Sequence, residues 1–310
     1  MSTPAIQGRR IAIIGASGQL GKPTVQALLG LGAHTVTAIQ RLDATSTFPA
    51  AVEVKKGNLD DENFLAAALQ GQDAVVLMPP LPQLIQIQEP AIRAAAKARV
   101  PYIFPSEFGP DPFAGQLLEE NELLVTKKRV RDLVEELGVS NWVSVVVGPW
   151  LEFGLSTGLW GVDAKARKAT LWKGAEGKAS VATVAHTAEA LAATLSLPEA
   201  DLAKYKNNAV YAASFSLTQR EILDAVQRAD GTTDADWDIQ IRDLNDVARD
   251  YEEKIKAGDS VAPYEKFYVT HFIEGHGGDF SDKIDATELE KLGRLGLHTE
   301  DLQEVVKAFI

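Results

Sequence analysis

The chain has 310 residues, of which 45% are hydrophobic and 24% charged, a composition typical of a folded globular protein. Its formal net charge of −12 argues against binding to nucleic acid or to an anionic membrane. Because it contains no cysteine, the sequence excludes disulfide bonds, thiolate catalysis and cysteine-ligated zinc.

The start of the chain and its hydropathy give no sign of export. Residues 1–10 (MSTPAIQGRR) lack the apolar core of a signal peptide and lead directly into a predicted strand. No apolar run approaches the ~18 residues that are needed to cross a bilayer. We therefore expect a cytoplasmic protein that binds neither membranes nor nucleic acid.

The first half of the chain alternates short apolar runs with amphipathic segments. Near-continuous apolar runs such as RIAIIG are typical of strands that are buried on both faces of a parallel sheet. This alternation predicts an α/β fold with a doubly wound, parallel Rossmann sheet. Strands are predicted at 9–15, 34–39, 52–57, 73–78, 100–104 and 141–148, and helices at 19–31, 61–69, 83–98 and 117–138.

The second half of the chain has a different organisation. Residues 181–195 are predicted to form a helix and residues 208–214 a strand, and Thr218 with Glu221 has the spacing of a capping box that starts another helix. The remaining segment, 233–310, is charged and mainly helical in pattern. We predict a Rossmann domain of residues 1–155, to which 181–214 add a helix and a strand, and a smaller, mainly helical substrate-binding lobe of residues 156–180 and 215–310.

A glycine-rich segment, GASGQLG, joins the first predicted strand to the first predicted helix. Glycines at these spacings permit a tight turn and a close approach of the backbone to a pyrophosphate, which the amides and positive dipole end of the helix would stabilise. The segment predicts a dinucleotide site, and the alternative is a plain strand-to-helix turn. Its residues are Gly15, Ala16, Ser17, Gly18, Gln19, Leu20 and Gly21.

The residue at the end of the second predicted strand bears on the choice of cofactor. An NAD site carries an acidic residue there, which binds the ribose 2′-hydroxyl. Here Arg41 occupies the position, and a guanidinium suits the 2′-phosphate of NADPH. We predict NADPH as the cofactor. Asp43 leaves NAD open, and the alternative for Arg41 is a solvated arginine at a strand end.

Two further segments follow predicted strands at the same edge of the sheet. Asn58 and Leu59 come after the third strand, and Met78, Pro79 and Pro80 come after the fourth. In doubly wound sheets the carboxyl ends of the strands line the cofactor crevice, so we expect these residues to contact the cofactor. Asn58 is either a hydrogen-bond partner of adenine or a turn residue.

The helix predicted at 117–138 carries two adjacent lysines with different expected environments. With Val130 at the centre of the apolar stripe, Lys127 lies ~60° away, at the edge of the buried face, and Lys128 lies ~160° away, in solvent. Arg131 is placed on the outer flank. A partly buried amine has a lowered pKa and can exchange protons, which makes Lys127 a candidate general acid or base. The alternative is a side chain whose stem covers apolar surface.

Other common catalytic arrangements are missing from the sequence. No tyrosine occurs from 103 to 204, and Leu123 stands where the Tyr-x-x-x-Lys arrangement of short-chain dehydrogenases would need one. The sequence has no GxSxG nucleophile elbow, and its five histidines show no metal-binding spacing. We therefore predict a site without a metal ion.

Four features together resemble a known family. They are the GASGQLG segment, Arg41, the run FPSEFGPD at 104–111, and the helix with Lys127 that ends in VRDLVEELGV. In these features about the first 155 residues resemble the isoflavone reductase-like branch of the NmrA-like atypical short-chain dehydrogenases. That branch includes pinoresinol–lariciresinol, phenylcoumaran benzylic ether and isoflavone reductases.

The resemblance implies a role for the lysine and for the FPSEFGPD run. Lys127, and not Lys128, aligns with the lysine that acts in the family as a general acid or base beside the nicotinamide ring. The glycine-rich segment and the arginine after the second strand would bind NADPH. Ser106, Glu107 and Phe108 would form the floor near the nicotinamide, and Phe108 would also contact the substrate.

The resemblance also implies a substrate contact after the sixth strand. Trp150 and Phe153, in GPWLEFG, would offer a flat apolar surface to an aromatic substrate, or would pack between the lobes. The chain departs from the plant members at Met78-Pro79-Pro80, where they have a small Ser/Gly turn, and its C-terminal lobe resembles that of no particular member. These departures leave the substrate open.

The function that the resemblance implies is an NADPH-dependent reductase. It would transfer hydride to a small, aromatic or conjugated molecule, and we expect a monomer or a homodimer. The alternative is a non-catalytic NmrA-like protein that senses NADP(H) and regulates a partner.

Overall fold

The computed structural model describes residues 6–310, with strands and helices alternating through the first half of the chain. The strands there are β1 (Arg10–Ile14), β2 (Thr35–Arg41), β3 (Val52–Gly57), β4 (Ala74–Leu77), β5 (Tyr102–Phe104) and β6 (Asn141–Val146). The helices there are α1 (Gly21–Gly30), α2 (Glu62–Leu69), α3 (Leu84–Lys97), α4 (Gly115–Glu120), α5 (Glu122–Leu137) and α6 (Leu151–Thr157).

The second half contains shorter strands among a larger number of helices. The strands are β7 (Val162–Asp163), β8 (Lys168–Lys173), β9 (Lys178–Val181), β10 (Asn208–Tyr211), β11 (Phe215–Thr218) and β12 (Asp238–Asp243). The helices are α7 (Val184–Leu195), α8 (Glu199–Leu202), α9 (Gln219–Asp230), α10 (Leu244–Lys256), α11 (Ala262–Thr270), α12 (Ala286–Arg294) and α13 (Leu302–Phe309).

A seven-stranded parallel sheet forms the centre of the molecule. Its strands follow the order β3-β2-β1-β4-β5-β6-β10, so the direction of progression reverses between β1 and β4. This is the doubly wound Rossmann order, and it confirms the predicted fold class. Ligands of such sheets bind at the carboxyl ends of the strands beside the reversal.

Both faces of the sheet are covered by helices, as the continuous apolar strands require. Ile11 and Ile13 of β1 belong to a core with α1 and α7, whereas Ala12 and Ile14 belong to a core with α2, α3 and α5. The helix that carries Lys127 therefore packs on the sheet with one face, and its Val130 and Val134 lie in that second core.

The helix predicted at 117–138 is broken into α4 and α5 at Asn121. This residue has an extended backbone (φ −124°, ψ 108°) and is 4% exposed. Its side-chain amide donates to the Leu117 carbonyl (2.7 Å) and to the Thr270 hydroxyl (3.2 Å), which ties the start of α5 to α11. The prediction of one continuous helix was wrong because nothing in the local sequence signals this tertiary contact.

The C-terminal part has its own core and two small sheets. Trp160, Trp172 and Phe272 pack together there, and β12-β8-β7 and β11-β9 pair beside them. These strands were not predicted; the helix predicted from residue 181 begins at Val184, after β9 and the Thr183 cap. The predicted capping box of α9 is confirmed, since the Thr218 and Glu221 side chains and amides bond reciprocally.

The boundary between the proposed domains remains a prediction. Strand β10 pairs with β6, and α7 packs on α1, so residues 184–211 contribute to the main sheet and its helical layer. Within residues 6–310, no helix is long and apolar enough to cross a membrane, and no group of three or more His, Asp or Glu residues is arranged to hold a metal ion.

Candidate active site

The glycine-rich segment turns sharply between β1 and α1, at the point where the strand order reverses. Gly15 has a φ of +91°, and a Cβ atom there would lie 2.1 Å from the Met78 carbonyl oxygen. A Cβ at Gly21 would lie 2.1 Å from the Gly15 carbonyl oxygen, and the Gly18 amide donates to that same oxygen (2.9 Å). Glycine is therefore needed at both ends of the turn.

The exposed surface of this turn suits an anion. Ser17 is half-buried and Gly18 and Gln19 are exposed, whereas Ala16 and Leu20 are buried and anchor the turn in the core. The first turn of α1 contains no acidic residue, so its amides and dipole favour a negatively charged group. The local geometry fits a pyrophosphate.

Arg41 is the last residue of β2, at the same edge of the sheet. Its side chain is 65% exposed, and its Nε lies 3.8 Å from an Asp43 carboxylate oxygen that is itself exposed. An exposed ion pair of this kind contributes little, so the guanidinium is free to bind a phosphate. The predicted preference for NADPH stays a prediction.

The other residues predicted to contact the cofactor lie at the ends of β3 and β4. The Asn58 side chain is exposed and accepts a hydrogen bond from the Asp60 amide (3.1 Å), as in a turn, and Leu59 is buried in the core. Beyond β4, Met78 is half-buried, Pro79 buried and Pro80 exposed. The Met78 amide donates to the Ile14 carbonyl (2.9 Å), which joins this segment to the glycine turn.

The two adjacent lysines of α5 have opposite environments. Lys127 is 7% exposed, whereas Lys128 is exposed and pairs with Asp132 one turn later (2.7 Å). The predicted difference in burial between the two lysines is confirmed. Lys128 is a solvated surface charge, and Lys127 points into the protein.

The buried amine of Lys127 lies beside the FPSEFGPD run. A Cβ atom at Gly109 would be 3.7 Å from its Nζ. Among residues 6–310, no hydrogen bond or ion pair of the Lys127 side chain is found. Burial lowers its pKa and the Arg131 charge lowers it further, while the Glu107 charge acts in the opposite direction.

Arg131 is buried, contrary to the expectation from the helical wheel. It was placed on the outer flank, but it is 5% exposed, and its Nη1 lies 2.5 Å from an oxygen of the buried Glu107 carboxylate. Its Nη2 donates to the Pro112 carbonyl (3.2 Å). The helical wheel was centred on aliphatic residues, and a buried ion pair carries no hydrophobic signal.

The remaining side chains of the FPSEFGPD run anchor it to the protein. The Ser106 amide donates to the buried Gln88 side chain (2.8 Å), and Phe108 is packed in the core. The buried Asp111 accepts from the Tyr211 hydroxyl (2.9 Å) and pairs with Lys283. The run is thus held between α3, β10 and the C-terminal part, which fixes the surroundings of Lys127.

A cleft of about 420 Å³ is lined in part by Leu81, which follows β4, and by Phe153 of α6, which follows β6. Of the three aromatic residues predicted to contact substrate, Phe153 lines the cleft. Trp150 packs against the core on the α1 and α7 face, and Phe108 is buried in that core. The sequence did not indicate the other lining residues, which are Leu81, Thr157, Leu159, Val261 and Tyr264. Three of them, Leu159, Val261 and Tyr264, lie in loops or in α11, where no local pattern signals a cleft.

Together, the reversed strand order, the glycine turn and the exposed strand ends define a dinucleotide-binding type of Rossmann fold. The chain also matches the sequence profile of one family over residues 7–290, and it belongs to this NmrA-like family. This membership confirms the family that the sequence motifs predict.

Individual relatives agree with this assignment. The oxidoreductase aprR of Aspergillus flavus is 29% identical over 311 residues, which cover 97% of this chain and 98% of that protein. The structure of AtPrR2 with NADP+ and (+)pinoresinol superposes with a TM-score of 0.77 at 20% identity, covering 98% and 99% of the two chains. A crystal structure of isoflavone reductase superposes equally well (TM-score 0.77, 20% identity, 98% and 100% covered).

Proposed function

We propose that this protein is an NADPH-dependent reductase that transfers hydride to a small, neutral, aromatic or conjugated molecule. The observation that carries the proposal is the buried Lys127, which lies at the carboxyl edge of a Rossmann sheet and has no partner within residues 6–310. The proteins similar to this chain include one named an oxidoreductase and one solved with NADP+ and (+)pinoresinol, which supports an oxidoreductase. A cytoplasmic location and a monomeric or homodimeric state belong to the same proposal.

The cofactor would lie across the reversal between β1 and β4. The amides of the glycine turn and of α1 would hold the pyrophosphate, and Arg41 would pair with the 2′-phosphate. Met78, Pro79 and the residues of the FPSEFGPD run would bound the nicotinamide end. When bound, NADPH supplies a hydride to an electrophilic carbon.

Lys127 would accept and donate the proton that the reaction exchanges. Since burial lowers its pKa, a larger fraction of the amine is neutral near pH 7 than for an exposed lysine. Such an amine accepts a proton from a substrate hydroxyl, or returns one to an oxygen or nitrogen atom, directly or through water. The absence of a competing partner among residues 6–310 leaves its lone pair free for this exchange.

The cleft bears on the class of substrate. The described residues that line it are apolar or carry a hydroxyl, and none of them is charged. A charged ligand would lose hydration there without a counter-charge, whereas an aromatic molecule would pack on Phe153 and Leu81 and meet the Tyr264 hydroxyl. A neutral, mostly apolar substrate therefore fits best.

Single-turnover oxidation of NADPH tests this function. Phenolic, quinone, enone and imine compounds are offered to the wild type, to Lys127→Met and to Lys128→Ala, each beside a carboxylated analogue. We expect turnover of a neutral compound that falls by about 10²- to 10⁴-fold in Lys127→Met, the range typical of a lost acid–base group, and stays unchanged in Lys128→Ala.

Two results would contradict the proposal. Equal turnover by Lys127→Met and wild type would remove the lysine from the chemistry. NADPH binding without oxidation by any compound would instead favour the non-catalytic sensor, whose association with a partner should then differ between NADP+ and NADPH.

A further inference from the structure

The Arg131–Glu107 pair and Lys127 form one buried group of charges. Lys127 and Arg131 are four residues apart, one turn of α5, and both are buried on the same side. Glu107 is two residues before Gly109, the residue that borders the Lys127 amine. One carboxylate, one guanidinium and one amine thus lie close along the chain in a water-poor region.

The Glu107 carboxylate forms an ion pair with Arg131. The Arg131 Nη1 to Glu107 Oε1 distance is 2.5 Å, the two side chains are 7% and 3% exposed, and Nη2 is further fixed by the Pro112 carbonyl. Lys127 has no such contact among the described residues. Among the described residues, Arg131 is therefore paired and Lys127 is not, although both belong to α5.

The other charged residues of α3 and α4 pair elsewhere or, like Glu119, are exposed to solvent. On α3, Arg93 pairs with Glu89 at the surface, and Lys97 pairs with Glu62. On α4, Glu120 lies 3.6 Å from the His276 ring. Within the described chain, Glu107 is the carboxylate whose charge acts on Lys127, and Arg131 is the cation.

We propose that Arg131 is a positioning residue: it holds the Glu107 carboxylate and thereby keeps the Lys127 amine free of an ion pair. The catalytic use of that amine rests on the proposed function, but its protonation state does not. Without Arg131, Glu107 would be a buried carboxylate lacking a partner, and Lys127, on which its charge already acts, would take that place. A lysine in such a pair would stay protonated and would not accept a proton.

Substitutions of the pair should move the Lys127 pKa in opposite directions. Arg131→Met should raise it by at least about one unit, because the freed carboxylate stabilises the ammonium. Glu107→Gln should lower it, because only the Arg131 cation remains. The double variant removes both charges, so its Lys127 pKa should return close to that of the wild type.

The experiment is a ¹³C NMR titration of protein labelled at lysine Cε, in the full chain. The Lys127 signal is assigned by its loss in Lys127→Met. Arg131→Lys should restore a midpoint near that of the wild type. An unchanged Lys127 midpoint in Arg131→Met would overturn the proposal; if that variant does not fold, an unchanged midpoint in Glu107→Gln would do so.

Turnover measured in parallel separates this inference from the proposed function. If the protein is a reductase, the rising limb of the pH–rate profile should move to higher pH in Arg131→Met, with NADPH affinity unchanged. A shifted Lys127 midpoint in a protein that oxidises no NADPH would reject the function and keep the inference. Lys127-dependent turnover with an unshifted midpoint would reject the inference and keep the function.

Discussion

Gly15, at the end of β1, lies so close to Met78, after β4, that a Cβ atom would be 2.1 Å from the Met78 carbonyl oxygen. These two residues follow the strands between which the sheet order reverses. The contact leaves no room for a side chain in the floor of the crevice. It links the turn that would hold the pyrophosphate to the segment that would border the nicotinamide.

Gly15→Ala should therefore damage both folding and cofactor binding. A non-glycine residue at a φ of +91° loses about 1–3 kcal/mol from backbone strain, and the contact with Met78 adds to this loss. Urea unfolding and a fluorescence titration with NADPH measure the two effects. Gly30→Ala, where a Cβ meets nothing within 4 Å, is the control and should be neutral or slightly stabilising. Equal stability and NADPH affinity in Gly15→Ala and wild type would contradict the tight turn.

Arg41→Ala should reduce the preference for NADPH over NADH. Loss of a charge-assisted hydrogen bond to the 2′-phosphate should weaken binding of NADPH about tenfold or more and leave binding of NADH nearly unchanged. Arg10→Ala is the control, since Arg10 is similarly exposed (61%) but lies at the amino end of β1, away from the crevice. Dissociation constants for both cofactors decide the question, and an unchanged ratio in Arg41→Ala would remove the arginine from cofactor selection.

Phe153→Ala should weaken binding of the substrate and leave binding of the cofactor unchanged. The ring lines the cleft of about 420 Å³, so its removal should raise KM for an aromatic substrate about tenfold. The dissociation constant of NADPH should stay the same. Phe309→Ala removes a ring that is 46% exposed and belongs to α13, and it should change neither quantity. A KM unchanged by Phe153→Ala would show that the substrate lies elsewhere.

Much of the Rossmann sheet was predictable because its signals are local. Strands buried on both faces give continuous apolar runs, as Ile11–Ile14 do, and the glycine turn follows directly from one of them. The separation of Lys127 from Lys128 was also predictable, because adjacent residues of a helix differ by ~100° in direction. These inferences need only the periodicity of one segment.

The parts that were missed depend on contacts between distant segments. Arg131 is buried because Glu107, 24 residues earlier, meets it, and a pattern of hydrophobic residues cannot register that pairing. Similarly, Asn121 breaks its helix through a hydrogen bond to Thr270, 149 residues away. The cleft brings Val261 and Tyr264 together with Leu81 and Phe153 from distant segments, so Tyr264 had no signal of its own.

The buried His271 should make folding sensitive to acid. Its ring is fully buried at the end of α11, Nδ1 lies 2.6 Å from the Phe267 carbonyl oxygen, and burial lowers the pKa to about 4. The unfolded chain binds a proton near pH 6.5 and the folded chain does not, so stability is full above this pH and falls as the pH is lowered towards 4.

At pH 5 this histidine should cost the wild type about 2 kcal/mol of unfolding free energy relative to pH 8. Urea unfolding at both pH values measures the loss, and His271→Gln, which cannot titrate, should lack this part of it even if the variant is less stable overall. His298→Gln is the control, because the His298 side chain is 78% exposed, and it should retain the acid sensitivity of the wild type. If His271→Gln lost as much stability between pH 8 and pH 5 as the wild type, the acid sensitivity would have to come from other groups.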